Sequence, residues 1–182
     1  MEMVRLGSFF GLLAVTLIFG CSAVSSVGPV GERSKELTRD EWDGTWILKN
    51  QSITVKVLEP QRGTLQVAWV EEKEGRLELE SFQVEIRESD DWMLGNVKEE
   101  EGSSRYYWAL MRKDEGQIIV WYPDPSQFAK LVEAGTLRGK VEKGGSVIVE
   151  KLTREDLKLV VSGDKGVCFD WKRPMVLFRV GK

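Results

Sequence analysis

The sequence predicts a mainly β protein: an antiparallel barrel or strongly curved meander of eight or nine strands, with one or two short helices late in the chain. Three observations carry that expectation. From Gly44 onward, short runs of alternating or β-branched residues recur, separated by Gly, Pro and Asp turn chemistry. Two runs, 106–111 and 118–122, are apolar on both faces and therefore demand cover on both sides. Helical periodicity is confined to a turn at 37–42 and to two stretches after residue 124.

The chain opens on a different kind of segment. Arg5 precedes an apolar run over residues 6–19, shorter than the roughly 20 residues a helix needs to cross a bilayer. A positive start, a short apolar centre and a small residue before Cys21 form a secretory signal pattern. Ile18-Phe19-Gly20-Cys21 resembles the cleavage box of bacterial lipoproteins at three of its four positions. That resemblance implies removal of residues 1–20 and lipid attachment at Cys21, so that the membrane is met through N-terminal acyl chains. One acyl chain binds a bilayer only marginally, whereas several anchor stably. Ser22 after the lipid-bearing Cys implies, in a Gram-negative host, the periplasmic face of the outer membrane.

Residues 21–36 combine small residues, Gly28, Pro29, Gly31 and charge without a sustained period, and are expected to form a lipidated N-terminus and flexible tether. Residues 37–182 then form one β-rich domain. Gly44-Thr45-Trp46 starts its first strand. Ile53, Val55 and Val57 alternate in the next, and Leu65, Val67 and Trp69 in the third. Leu77 and Leu79 share one parity while Phe82, Val84 and Ile86 take the other, which predicts a β-bulge or bend near Ser81. A weaker strand over 92–97 and the two double-faced strands follow.

Pro123-Asp124-Pro125-Ser126 starts a short helix with Phe128, Leu131 and Val132 on one stripe and Gly135 as its stop; this helix is the expected cover for the double-faced strands. After a strand at 147–149, Thr153 caps a second helix, with Asp156 at the capping-box position. The last strand spans 175–180.

Gly44-Thr45-Trp46 is also similar to the Gly-x-Trp motif of lipocalins. The resemblance implies that Trp46 plugs the barrel bottom and that Arg179, from a late strand, stacks on it. Another antiparallel barrel or sheet stays open and is the favoured reading, with Trp46 an ordinary core residue at a strand start.

Seven Trp residues invite a binding site, since an aromatic-lined cavity accepts lipids by burial and sugars by stacking. Trp46, Trp69, Trp108 and Trp121 are the candidate pocket residues; the competing reading is that they fill the core. No His is present, which removes the commonest general base and metal ligand, and no metal or cofactor is expected. A net charge of −3 with dispersed basic residues argues against nucleic acid as a partner. With Cys21 acylated, Cys168 has no partner in the chain and reads as a buried, inert thiol. The expected function is a membrane-anchored envelope lipoprotein whose β-domain binds an apolar ligand or docks to an envelope protein. The alternative is a hydrolase, which needs two carboxylates facing one cleft beside aromatic rings.

Overall fold

The computed structural model describes residues 22–164 and 166–181. Residues 1–20, expected to be a signal peptide, and Cys21 lie outside the described residues. Among the described residues, twelve strands form one hydrogen-bonded sheet, accompanied by three short α-helices.

Eight of the strands close into an antiparallel barrel: β3 (Gly44–Leu48), β4 (Gln51–Glu59), β5 (Thr64–Lys73), β6 (Arg76–Ser89), β7 (Trp92–Lys98), β8 (Arg105–Asp114), β9 (Gln117–Trp121) and β12 (Met175–Arg179). Neighbours in sequence pair in turn from β3 to β9. β12 then closes the ring between β9 and β3, with Val176 opposite Ile119 and Arg179 opposite Trp46. Alternation decides what faces inward. Ile53, Val55, Leu65, Val84, Ile86, Ile118, Val120 and Leu177 pack together as the barrel core.

The helices lie outside. In the second, α2 (Pro125–Glu133), the Asp124 side chain accepts from the N–H groups of Ser126 and Gln127, and Pro125 occupies the first turn. Its buried stripe of Phe128 and Leu131 covers the outer face of β8, as the double-faced pattern of that strand requires. The third, α3 (Arg154–Ser162), has the Thr153–Asp156 capping box and ends on Gly163 in the left-handed region. A second core forms here, between barrel and helices, around Trp108, Leu110, Phe128, Phe169, Leu157 and Val160.

Two expectations are corrected. The first concerns the flexible tether. Residues 24–27 form β1 (Val24–Val27), which lies antiparallel to the first half of β8 and parallel to β11 (Val147–Val149). β10 (Gly139–Val141) continues this side sheet, and β2 (Arg33–Ser34) pairs with the end of β6. Val24 and Val30 are buried. Asn96 clamps the segment: its Oδ1 accepts from Val30 N–H at 2.7 Å and its Nδ2 donates to Val30 C=O at 3.0 Å. The physical reason is tertiary. β9 takes the edge of β8 only from Leu110 onward, so residues 105–107 offer a free edge that a short, composition-neutral strand completes. These three extra strands, β1, β2 and β10, also account for the excess over the eight or nine expected.

The second correction concerns Ser81. β5 and β6 pair without a register shift from Thr64↔Glu85 to Lys73↔Arg76, so there is no bulge. The parity switch arises because Leu77 and Leu79 face outward on a part of the hairpin that projects beyond the barrel, where they are 77% and 75% exposed.

Candidate functional site

The barrel has one closed and one open end. At the closed end the first helix, α1 (Arg39–Trp42), crosses beneath the strands and buries Trp42. Trp46 lies fully buried above it and donates its indole N–H to the Trp42 carbonyl at 3.1 Å. The Arg179 guanidinium sits 5.7 Å from the Trp46 ring centroid and donates to the carbonyls of Asp40, Glu41 and Asp43. Those acceptors are backbone groups the short helix leaves unpaired, so one guanidinium ties α1, β3 and β12 together. Gly44 suits this position through its backbone: its φ is +145°, which side-chain-bearing residues rarely adopt, and a Cβ there would make only ordinary contact with Arg179 Nε at 3.4 Å.

Above the plug lies an apolar cavity of about 180 Å³. Its walls include Ile53, Val67, Ala109, Val120 and Leu177, and toward the open end Trp69, Phe82, Tyr122 and Met175. Trp69 and Phe82 meet edge-to-face at 5.6 Å across the β5–β6 pair. Tyr122 donates to Met175 Sδ at 3.5 Å. Burial pushes the Tyr122 phenol up to about 12. Because its folded pKa lies above the ordinary value near 10, the stability tied to the neutral phenol is fully present below pH 10 and lost as pH rises toward 12. Absorbance titration at 295 nm is expected to show one of the three tyrosines ionising last, together with loss of near-UV circular dichroism; a Tyr122→Phe chain should lack that late step.

The four Trp residues singled out from sequence are not brought into one pocket. Trp69 lines the cavity; Trp46 does not, but is hydrogen-bonded to Trp42, which does. Trp108 contributes to the wall, but its ring packs edge-to-face against Phe128 at 5.7 Å and Phe169 at 6.0 Å in the outer core. Trp121 faces outward and packs on Trp171 at 5.4 Å. Strand parity separates them: Trp108 and Trp121 alternate with Ala109 and Val120, which point inward. Sequence reasoning missed Phe82, Ala109, Tyr122 and Met175 as lining residues. The same alternation could have found Phe82 and Ala109, while Tyr122 and Met175 sit at strand ends where parity says little.

A separate open cleft runs outside the closed end, lined by Asp90, Asp91 and Asp114 together with Trp92, Trp121 and Trp171. It sets carboxylates beside aromatic rings, the condition named for a hydrolase. The Arg154 guanidinium hydrogen-bonds Asp90 and holds its carboxyl below the usual range, the reverse of what a general acid requires. Asp114 pairs with Arg112 at 3.5 Å. Cys168 is a buried free thiol, pushed up by burial and by Asp124.

No known protein family matches the chain, and neither a curated protein nor a solved structure matches it.

Proposed function

We propose that this protein is an exported lipoprotein, anchored by acyl chains on Cys21, whose barrel takes up a small apolar ligand or the end of an acyl chain. The observation that carries the binding half is the apolar cavity lined at the closed end by Trp42, to which the Trp46–Arg179 pair is joined through the Trp46–Trp42 hydrogen bond. Its volume is close to that of an engineered apolar cavity that stays dry and binds benzene (about 150 Å³). The arrangement of Gly44, Trp46 and Arg179 supports a lipocalin-like barrel. The anchor rests on the leader and its cleavage box. In a Gram-negative host, Ser22 directs it to the periplasmic face of the outer membrane.

The leash in this reading is short. Only Ser22 and Ala23 separate the lipid-bearing residue from Val24 of β1. Three residues span at most about 10 Å, so the barrel rides against the headgroups and takes its ligand there.

The cavity is tested with benzene and decanoate as probes, by titration calorimetry and by native mass spectrometry of the purified chain. Ala109→Phe places a ring inside the cavity and is expected to weaken probe binding at least tenfold, with Ala109→Leu intermediate. A filled variant that binds as well as the parent would overturn the reading. Metabolic labelling with a radioactive fatty acid tests the anchor separately: label should enter the parent chain and not Cys21→Ser.

A further inference from the structure

The β5–β6 hairpin outruns its neighbours. β4 pairs with β5 no further than Trp69, and β7 meets β6 only from Glu85 onward. Residues 70–79 therefore pair only within the hairpin, and residues 80–84 pair only with 65–69 of β5. Among the described residues no strand covers the β6 edge from Arg76 to Val84. In an antiparallel ladder, alternate residues direct their N–H and C=O groups away from the partner strand, so this stretch presents a row of free donors and acceptors.

Its two faces differ in chemistry. The outward face carries Leu77, Leu79 and, directly across from Leu79, Val70, which is 55% exposed. The opposite face carries Glu78 and Glu80 with Glu71 and Lys73. Lys73 bridges Glu80 and Glu71, and Arg76, directly across from Lys73, is the second cation on that face. Over residues 71–80 five carboxylates stand against Lys73 and Arg76. Proteins protect such an edge with charged residues, proline or a bulge; residues 76–84 contain no lysine, proline or bulge, and their charges are Arg76, Glu78 and Glu80.

We infer that the Arg76–Val84 edge is a docking site for an extended segment of another protein, in which apolar residues alternate with Lys or Arg. The segment adds a strand to β6: its backbone meets the free edge, its apolar side chains lie on Leu77 and Leu79, and its cations meet Glu78 and Glu80. Charge selects this occupant. A second copy of the chain would set the same acidic edge against itself, and an anionic membrane surface would repel it. The edge adjoins the cavity, since Phe82 and Val84 belong to both, but the inference does not rest on ligand binding or on the anchor.

The test uses the full chain and the peptide acetyl-Lys-Val-Lys-Val-Lys-Val-Lys-amide. Hydrogen exchange is expected to slow in residues 77–83 when the peptide is added. Two further peptides carry N-methyl groups on alternate residues, in the two possible phases. One phase should bind at least tenfold more weakly, because its methyls block the ladder, and the other should bind like the parent. Leu79→Lys should weaken the parent peptide at least tenfold while leaving the unfolding midpoint unchanged. Equal binding of both methylated peptides, or absence of protection over 77–83, would overturn the inference. So would a concentration-dependent dimer, abolished by Leu79→Lys, in sedimentation equilibrium of the chain alone.

Discussion

Replacing Trp46 by alanine is expected to lower the unfolding free energy by about 3–5 kcal/mol, the range for truncating a buried Trp or Phe. Trp46 is fully buried, and its removal opens a void next to Trp42, which lines the cavity. Two couplings go with it: the hydrogen bond to the Trp42 carbonyl and the ring face on which Arg179 rests. Trp46→Phe keeps a ring but leaves that buried carbonyl without its donor, and should cost about 1–3 kcal/mol. Urea unfolding of both variants measures the difference. An alanine variant that loses less than about 1.5 kcal/mol would show that the plug is dispensable.

A chain that begins at Leu37 is expected to lose cooperative folding. This is the boundary that composition suggests, and the fold contradicts it. The deletion removes Val24 and Val30, each worth about 1.5–3 kcal/mol on burial. It strips Asn96 of both contacts to Val30, leaving buried polar atoms at about 1–3 kcal/mol. It also uncovers the facing edges of β8 and β11. Together these approach the whole stability of a typical domain, about 5–15 kcal/mol. The expected result is a broad urea transition with weakened near-UV circular dichroism. A sharp transition at the parent's midpoint would instead restore the segment to the role of a tether.

Which parts were legible follows from how far each signal reaches. The inward faces of β4 and β5 were plain, because Ile53, Val55, Leu65 and Val67 alternate over a strand's own length. So were α2 and α3, whose caps at Asp124 and Thr153 are local hydrogen bonds between residues two or three apart. β1 was not. Four residues, Val-Ser-Ser-Val, carry no period, and what makes them a strand is a free edge of β8 about eighty positions away. The parity switch at Ser81 was seen, but the bulge offered for it is absent, since the pairing runs unbroken while the strand passes beyond the barrel and loses its core-facing pattern. The candidate site was legible only in part. Trp69 was among the residues chosen by type, yet Trp108 and Trp121 belong to the other face of their strands.

Local chemistry was therefore enough for the β character, the caps, the covering helix over β8 and the pairing of Gly44 and Trp46 with Arg179 as a proposition, because each depends on neighbours in sequence or on a short motif. Barrel closure through β12, capture of the N-terminal strand, the placing of a cavity inside the barrel and the uncovered edge of β6 were decided by long-range pairing. Hydrogen-bond edges and void volume are properties of assembled strands, and no window along the chain contains them.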